Sequence, residues 1–435
     1  MFHKNPKNVR AIACLLLGAV VGPVVAADSP TREEMDALKQ QLEKLEKSQE
    51  SNQKLLDGFS KLENSPVTFS GFFSIGASQL SEDDLAFSYD TGQGSELSLL
   101  PTTYAGIQMN AELYKGGEFV YQVVAKGKDG EKDDFELQTE WLYLKHDFGA
   151  GFNMQAGRIR FPAFMDSENY YVGTTYPWIL PPHEIYEVLP LTNIDGFSLN
   201  HQVMLGDWLL ASKLLLWGES RQGSSSNELR LNDVYGLAIN VSNDYLNMRV
   251  AYMAAEEEIR IDSQPNGFLL APLKQTFGDE LEYLIAAVRY DDGLIFGSLE
   301  SVSIDAKKGV LDENRNWNIT TGVHLGPVLA YIGYSESHVT NDEKIAAAIN
   351  DDLNMKTILT IYGPLPLGNV FAPYLNRQQH TSTVGVKYDF SPKTALKVQV
   401  QYLDDFDGTS GNFTAGSVLP FKNVYVYDIA VQGYF

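Results

Sequence analysis

The stretch VYVYDIAVQGYF, residues 424–435, alternates in character at every second position and finishes on a phenylalanine. One set of alternate positions is apolar or aromatic: Tyr425, Tyr427, Ile429, Val431 and Phe435. The other set includes Asp428 and Gln432. Because successive side chains of a strand point to opposite faces, this pattern predicts a β-strand with one apolar face and one partly polar face. Chain ends rarely bury enough surface to stay ordered, so an aromatic residue at the end of a strand needs an explanation from the rest of the sequence.

The opposite end of the sequence has the composition of an export signal. Residues 1–10 carry three basic side chains and no acid, and an apolar run follows over residues 11–26. This pattern predicts a secretory signal peptide over residues 1–27. The run is shorter than the roughly 20 residues that a membrane-spanning helix needs. Cys14, the single cysteine, lies within it, so we expect an exported chain that uses neither disulfides nor thiol chemistry.

The composition narrows the choice of architecture. The formal net charge is −23, and so acidic a chain is expected to repel nucleic acid. After residue 27 the longest apolar stretch, residues 208–217, is short and is interrupted by Lys213. Tyr, Phe and Gly are abundant, and many short segments alternate in polarity. These features leave two architectures, a secreted β-sandwich or solenoid and a membrane β-barrel.

Residues 28–66 have a different pattern from the rest of the chain. Thr31 and Glu34 fit a helix capping box. Apolar residues follow at three- and four-residue spacing, at Met35, Leu38, Leu42, Leu45, Leu56 and Phe59. Gln49 and Asn52 occupy the core positions between them, as polar residues do where a coiled coil fixes its register or oligomeric state. The pattern over residues 31–62 predicts a short coiled coil that joins copies of the chain, and a single solvated helix is the alternative.

Sixteen strands are predicted after residue 66. They cover residues 67–80, 103–113, 118–126, 136–148, 152–160, 194–205, 208–219, 234–242, 245–261, 280–291, 294–304, 317–325, 328–338, 380–390, 394–406 and 424–435. The connections between them alternate between tight turns and long loops. This alternation is typical of a membrane barrel, with short turns on one side of the membrane and long loops on the other. The predicted fold is therefore all-β, a 16-stranded antiparallel transmembrane β-barrel over residues 67–435, preceded by a short α-helical coiled coil.

The signal peptide, coiled coil, strand number and terminal Phe435 together resemble the trimeric outer-membrane porins of Gram-negative bacteria, and the DcaP-like type with an N-terminal coiled coil in particular. The stretch GRIRFPAFMDSENYYVGTTYPWILPPHEIY, residues 157–186, resembles the constriction-loop region of that type. The resemblance implies a homotrimer in the bacterial outer membrane, with its coiled coil in the periplasm. It implies contact with outer-membrane lipid and lipopolysaccharide, and recognition of Phe435 by the barrel-assembly machinery. The implied function is a water-filled channel for passive diffusion of small hydrophilic solutes.

Charged residues of the predicted loop, about 161–193, and of the predicted inner wall form the candidate constriction. The loop contributes the acids Asp166, Glu168, Glu184 and Glu187. The bases are Arg158 and Arg160 where the loop begins, and Lys213, Arg249, Arg289, Lys387 and Lys397 on strand positions assigned to the lumen. In one interpretation the two rows create a transverse field that favours anions such as carboxylates. In the other, the arginines hold the loop in place through Asp166 and Glu168.

Motifs for other function classes are missing from the sequence. There is no nucleophile elbow, zinc-protease motif or phosphate-binding glycine loop, and the histidines are widely spaced. We therefore expect no enzymatic activity, no cofactor, no metal and no nucleic-acid partner. The long loops are acidic and are expected either to bind divalent cations that bridge lipopolysaccharide or to keep the surface soluble. An outer-membrane barrel that only anchors an enzyme or adhesin remains the alternative function.

Overall fold

The computed structural model describes most of the chain from residue 66 onward. The described residues are 66–82, 85–87, 96–100, 102–127, 135–188, 192–223, 227–263, 273–340, 342–352, 357–360, 363–366, 377–407, 409, 411–415 and 422–435. Pro66–Phe435 form one compact unit. The predicted signal peptide and the predicted coiled coil lie outside the described residues.

The described strands form a closed antiparallel barrel of sixteen strands, as predicted, with two small two-stranded sheets outside it. In chain order the strands are β1 (Val67–Leu80), β2 (Leu85–Phe87), β3 (Tyr104–Tyr114), β4 (Gly117–Gly127), β5 (Phe135–Gly149), β6 (Phe152–Arg160), β7 (Asn193–Leu205), β8 (Trp208–Gly223), β9 (Asn227–Ser242), β10 (Leu246–Ser263), β11 (Leu273–Asp291), β12 (Ile295–Ala306), β13 (Asn314–Leu325), β14 (Val328–Ser337), β15 (Thr357–Thr360), β16 (Gly363–Pro366), β17 (Gln379–Ser391), β18 (Thr394–Asp404), β19 (Phe413–Ala415) and β20 (Asn423–Tyr434). The small sheets pair β2 with β19 and β15 with β16. The described helices are α1 (His183–Tyr186) and α2 (Asp342–Asp352).

The last residue of the chain completes the barrel seam between β20 and β1. The register runs from Phe72 opposite Tyr434 to Leu80 opposite Val426. The backbone N–H of Phe435 donates to the carbonyl of Gly71 at 2.9 Å, and the N–H of Gly71 donates to the carbonyl of Phe435 at 3.0 Å. The Phe435 ring lies over Gly71, where an added Cβ would come within 2.4 Å of the ring. Closing the seam removes both sheet edges, which explains why a strand reaches the aromatic terminus.

The outer surface of the barrel is largely apolar. Large exposed apolar side chains occur all around it, for example Ile75, Ile107, Leu144, Ile239, Val250, Ile332, Val384 and Ile429. Soluble monomers rarely expose contiguous apolar patches larger than a few hundred Å². A closed barrel with such a surface spans a bilayer, because closure leaves no backbone hydrogen-bonding group unpaired in lipid. Among the described residues, no helix has the length and apolar character that a membrane span requires.

Two strands begin earlier than predicted. β9 starts at Asn227 instead of residue 234, and β11 starts at Leu273 instead of residue 280. In β9 the backbone of Asp233 has a φ of 47°, and the pairing with β10 shifts register at this point. A shift by one residue moves every side chain beyond it to the other face. The bulge in β9 therefore hides the alternation of the residues that precede Asp233.

The segments 136–148 and 328–338 alternate poorly in the sequence, and the barrel explains both. β5 shifts register against β4 near Glu140, so its two halves follow opposite parities. In β14 the inward positions carry Leu329 and Tyr331, both buried. Tyr331 packs with Tyr176 and Trp178 of a loop inside the barrel. An apolar inner face is therefore expected where protein, rather than water, covers the wall.

Candidate functional site: the loop inside the barrel

The segment between β6 and β7 folds into the barrel and crosses its interior with its described residues, 161–188 and 192. It is called the constriction loop here. Its start contacts Arg249 on β10, and its short turn Gly173–Thr175 contacts Lys397 on β18. Ile179 accepts a hydrogen bond from Gln432 on β20 at 2.8 Å. A loop that contacts opposite walls leaves less open cross-section than the barrel alone would give.

Arg249 fixes the beginning of the constriction loop. Its Nε donates to the carbonyl of Ala163 at 3.2 Å, and its Nη2 donates to the carbonyl of Pro162 at 2.6 Å. Its Nη1 lies 3.3 Å from Oε2 of Glu168. The guanidinium is buried and uses its planar fork to bind two carbonyls and one carboxylate at once. Arg249 therefore contacts three residues of the loop at once.

Arg289 makes a second anchor one strand further around the wall. Its two terminal nitrogens pair with both carboxylate oxygens of Asp166, at 2.8 and 2.5 Å. The hydroxyl of Tyr186 donates to Oε2 of Glu300 on β12 at 3.1 Å, and the backbone N–H of Met165 donates to Oε1 of the same carboxylate at 2.9 Å. A bidentate arginine–carboxylate pair fixes orientation as well as distance. The loop thus lies against β11 and β12 in one defined position.

Two lysines bind the middle of the loop through its backbone. The ammonium of Lys397 donates to the carbonyls of Gly173 and Trp178, and lies 4.6 Å from the centre of the Tyr176 ring. Lys387 donates to the carbonyl of Thr174 at 2.9 Å and lies 3.2 Å from Asp389. Lys397 is fully buried. Neither ammonium is therefore free to meet a solute in this structure.

The two glutamates at the end of the loop are also bound. The carboxylate of Glu184 is buried and accepts hydrogen bonds from Gln379 at 2.6 Å and from the hydroxyl of Thr381. Its backbone carbonyl accepts from Asn316 at 2.7 Å. Glu187 lies 2.5 Å from Nδ1 of His183. Neutral donors on β13 and β17 thus hold Glu184, a role that charge alone does not indicate in the sequence.

The two arginines at the start of the loop occupy different environments. Arg160 is buried, and its Nη1 donates to the carbonyl of Thr192 at 3.1 Å and lies 3.5 Å from Glu140. Its guanidinium also lies 5.6 Å from the ring of Tyr171. Arg158 instead forms a bidentate pair with Asp195, at 2.8 Å for each contact. Its register neighbour Leu142 is exposed on the outer surface, so Arg158 belongs to the outer face and does not join the interior group.

Aromatic side chains pack the loop against the seam side of the barrel. Tyr171 stacks on Phe72 with ring centres 5.9 Å apart and meets Tyr104 edge-on at 5.4 Å. Burial raises the pKa of Tyr171 well above its usual value, and it does the same for the pKa of Tyr176 and of Tyr186. These phenols are therefore neutral at physiological pH and act as hydrogen-bonding parts of the packing.

Glu168 is the most exposed of the predicted site residues inside the barrel, and Lys213 lies in its field. The side chain of Glu168 is 43% exposed although the barrel wall surrounds it. Burial within the barrel pushes the pKa of this carboxyl upward, but the charges of Arg249 and Lys213 lower it overall. Lys213 is half-buried, and within the described part of the chain its ammonium makes no ion pair. Since Arg249 neutralises Glu168, Lys213 carries the uncompensated charge of this group.

One side of the barrel interior contains an apolar core that sequence reasoning missed. Buried side chains of β8 to β12 pack against Phe161, Phe164 and Ile185 of the constriction loop. Ile345 and Ile349 of α2 belong to the same core and are fully buried. Their spacing of four residues is a helical signal within the long segment 339–379.

The inner wall formed by β3 to β8 is polar instead. Gln122 donates to Gln108 at 2.9 Å, and Gln108 donates to Asn110 at 2.8 Å. Asn110 donates to Glu118 at 2.7 Å, and Lys145 lies 3.4 Å from the same carboxylate. A second amide pair continues this wall, with Asn200 donating to Asn153 at 2.8 Å. We name these residues, with Lys213, the amide wall, and most of them are only half-buried.

The structure thus brings most of the predicted site residues into one network of contacts inside the barrel. In the described residues, no group of His, Cys, Asp or Glu is arranged to hold a metal ion. Glu140, Glu300, Thr381 and Gln399 take part in the network and were not predicted as site residues. The sequence does contain a signal for Arg158. Counting every second position from the outward apolar residues of β5 and β6 places Arg158 on the outer face.

Several solved structures share this architecture at low sequence identity. The anion-selective porin from Comamonas acidovorans aligns over 85% of this chain and 99% of its own, with 11% identity and a TM-score of 0.49. The outer membrane channel DcaP of Acinetobacter baumannii aligns over 85% of this chain and 97% of its own, with 11% identity and a TM-score of 0.48. Salmonella typhi OmpF, in complex with daunomycin, aligns over 85% and 97%, with 13% identity and a TM-score of 0.47. No protein-family model matches the chain, and no curated protein sequence matches it significantly. At these scores the likeness carries no further conclusion, and the fold follows from the strand pairing described above.

Proposed function

We propose that this chain forms a water-filled channel in the outer membrane of a Gram-negative bacterium, through which small hydrophilic solutes diffuse passively. The observation that carries the proposal is a closed barrel with an apolar outer surface and, beside the constriction loop, a half-buried polar inner wall. An apolar exterior fits lipid, and a polar interior fits water. The anchored loop would set the size of the opening, because ion pairs and hydrogen bonds fix it to the wall.

The proposed preference is for anions such as carboxylates, and its source is Lys213. The bases Arg249, Arg289, Lys387 and Lys397 are bound to the loop, so their field reaches solutes less directly. Glu168 is paired with Arg249, and Glu118 is paired with Lys145. Lys213 is then the base of this wall without an ion pair among the described residues, and a positive charge beside the constriction loop attracts anions in a narrow channel. Glu112, directly opposite Glu118, lies nearer the turn between β3 and β4.

The assembly that we propose is a homotrimer joined in the periplasm by a coiled coil over residues 31–62. Its heptad pattern is the support, since four heptads are marginal as a single helix. Removing residues 28–62 from the exported chain should lower both the trimer mass by light scattering and the temperature at which the oligomer dissociates. A trimer of unchanged mass and stability would show that the segment has another role.

We also propose that the barrel-assembly machinery recognises the terminal Phe435. The ring is exposed on the outer surface and covers Gly71 at the seam. Phe435→Ala should lower the yield of folded barrel in cells and leave the conductance of the folded fraction unchanged. Insertion at the normal yield would contradict this proposal.

Recording from the purified full chain in planar lipid bilayers tests the channel function. The proposal predicts stepwise ohmic conductance, with closures in groups of three if the oligomer is a trimer. Folded barrel that inserts, as judged by heat-modifiable gel mobility and protease protection, but never conducts would reject the channel. That outcome would favour a barrel that anchors an enzyme or adhesin.

A further inference from the structure

Beside the constriction loop, an acid and a base lie near each other without forming a pair. Glu168 of the loop and Lys213 on β8 each lie in the field of the other, yet they form no ion pair within the described part of the chain. The side chain of Glu168 is 43% exposed. Lys213 is half-buried, and its ammonium, which bonds to no described residue, is not enclosed by protein. Both charged groups are therefore within reach of a solute in the lumen.

The strand register keeps these two charges apart. Lys213 on β8 lies opposite Ala238 on β9, and Ala238 lies opposite Ala251 on β10. Arg249, which holds Glu168, precedes Ala251 by two residues on β10. Neighbouring strands are about 4.8 Å apart, so roughly 10 Å separates the backbones of β8 and β10. A solute that bridges the gap between the two charged groups can contact both.

Arg249 uses only part of the Glu168 carboxylate. Its Nη1 lies 3.3 Å from Oε2 of Glu168, while its Nε and Nη2 donate to the carbonyls of Ala163 and Pro162. An ionised carboxylate has two oxygens and accepts several hydrogen bonds. One contact therefore leaves acceptor capacity on the exposed side of Glu168, and an ammonium group of a solute fits it.

The surroundings of Lys213 favour a carboxylate that carries a compensating positive charge. Arg249 and Arg160 also act on Lys213 through their fields, but Arg160 is buried beside Glu140 at 3.5 Å and Arg249 is bound to the loop. Lys213 is thus the base of this group with donors left for a solute. A simple anion bound there would be repelled by Glu168, whereas a solute with an ammonium group would gain an attraction from it.

Amide side chains continue the same row of the wall. Asn153 on β6 lies opposite Asn200 on β7, and Asn200 lies opposite Lys213. Asn200 donates to Asn153 at 2.8 Å. Each amide nitrogen has two hydrogens, so this contact leaves further donors in the row. These donors fit the carbonyl oxygen of a peptide group next to a bound carboxylate.

We propose that Glu168 and Lys213 select zwitterionic solutes, namely amino acids and short peptides. The ammonium group of the solute binds Glu168, and its carboxylate binds Lys213. Hydrogen bonds between charged groups are about twice as strong as neutral ones, so a solute with both groups gains most. The inference names a substrate class for the proposed channel and rests on that function.

Uptake of four solutes of nearly equal size tests the proposal. The amino acid alanine carries both charged groups, lactate carries the carboxylate alone, alaninamide carries the ammonium alone, and lactamide carries neither. Each labelled solute enters proteoliposomes that contain the purified full chain at about pH 6, where an α-amino group and a carboxyl are both charged. Alanine should enter fastest, about tenfold faster than lactamide, because a complementary field raises the local concentration of a solute.

Each single variant should remove one of the two discriminations. Glu168→Gln should make the uptake of alanine equal to that of lactate, and Lys213→Gln should make it equal to that of alaninamide. Glu168→Asp and Lys213→Arg keep the charges and should keep alanine the fastest of the four. Because Arg249 still binds two loop carbonyls in Glu168→Gln, the single-channel conductance of this variant at neutral pH should match the wild-type value.

Glu280→Gln with Lys307→Gln serves as the matched control. It also removes one acid and one base, but these two side chains are exposed and pair with each other at 2.7 Å. The control should keep the wild-type order of uptake and the wild-type rates.

Three results would overturn the inference and leave the channel proposal standing. The first is equal uptake of alanine and lactate by the wild-type chain. The second is a Glu168→Gln variant that still admits alanine faster than lactate. The third is faster uptake of lactate than of alanine, which would indicate recognition of anions alone. A folded, inserted chain that admits none of the four solutes, lactamide included, would instead reject the channel and this inference with it.

Discussion

The two sides of the barrel interior have the same strand geometry but different inward side chains. On the side of β8 to β12, inward positions are apolar and are covered by the constriction loop and by α2. On the side of β3 to β8, inward positions carry amides, with Glu118, Lys145 and Lys213 among them. The first side is packed like the core of a soluble domain, and the second keeps the polar surface that water requires.

This difference shows how the loop can narrow a barrel in a fixed position. Ion pairs alone would hold the loop weakly, because the cost of taking two charges out of water can offset their attraction. Burial of Phe164 and Ile185 adds a term that salt does not weaken. Arg249 and Arg289 then select one arrangement among those that the apolar contacts permit. Most residues of the amide wall stay half-buried, and Glu168 is the loop residue that lies in the field of Lys213.

The largest expected effect comes from removing the deepest ion pair on the packed side. Arg289→Ala leaves the buried carboxylate of Asp166 without its cation, and an unpaired buried charge costs about 3–5 kcal/mol. The loop should leave its position, so single-channel conductance should rise and become noisier. Planar-bilayer recording of the purified variant measures this change.

Arg158→Gln provides the control for that experiment, because it breaks a bidentate pair on the outer face. Its conductance should equal that of the wild-type chain. Equal conductance of the Arg289→Ala variant and the control would show that the loop keeps its position without the Arg289 anchor.

A smaller effect is expected from a cavity in the apolar core. Ile185→Ala removes a fully buried side chain, and such truncations cost about 2–5 kcal/mol. Amide hydrogen exchange should speed up over residues 161–192, while the barrel strands keep their protection. Ile239→Ala, which truncates an exposed residue on the outer surface, should leave the exchange of the loop unchanged. Unchanged exchange in the Ile185 variant would mean that the core does not hold the loop.

The pairing of Glu168 with Arg249 predicts that the exchange protection of the loop depends on pH. These two residues lie at the boundary between the two sides of the interior. Since the pKa of Glu168 is lowered below 4.5, its stabilising contribution is present above that value and is lost as the pH falls through the lowered pKa. Exchange protection of residues 166–170 should therefore be constant from pH 8 to pH 5 and weaken at more acidic pH. Glu168→Gln should abolish this acid-dependent step. A step near neutral pH that survives in the variant would assign the titration to another group.

The smallest expected effect lies on the open side and concerns selectivity alone. Lys213→Gln removes the base of the amide wall that has no ion pair among the described residues, so the reversal potential in a salt gradient should shift toward cations. Lys307→Gln, at an exposed position beside Glu280, should leave it unchanged. If both variants keep the wild-type reversal potential, Lys213 does not set selectivity.

Strand number and order could be predicted from the sequence, because period-two alternation and turn spacing are local signals. The inward folding of the constriction loop followed from its resemblance and its aromatic content. Its partners could not be predicted, since Asp166 meets Arg289 across 123 residues. Both interpretations of the charged rows were compatible with the composition. The side-chain contacts favour anchoring for Arg249, Arg289, Lys387 and Lys397.

The apolar core was missed for a physical reason. Inward Leu215, Leu231 and Leu281 give the same apolar signal as lipid-facing residues, and only the returning loop shows which face they occupy. Lys213 and Arg249 are both inward bases on long strands, yet only Arg249 lies within reach of loop carbonyls. Which base contacts the loop depends on distances between residues in the folded chain, and these cannot be inferred from the sequence pattern.

Cysteine accessibility compares the two sides most directly, because Cys14 is the single cysteine and lies in the predicted signal peptide. Asn110→Cys places a thiol on the amide wall, and Ala251→Cys places one under the apolar core, where Ala251 is fully buried. A charged, membrane-impermeant thiol reagent is added while the single-channel current is recorded. We predict that the current through the Asn110 variant falls in discrete steps and that the Ala251 variant does not react. A blocked Ala251 variant beside an inert Asn110 variant would contradict the open amide wall and the packed apolar side.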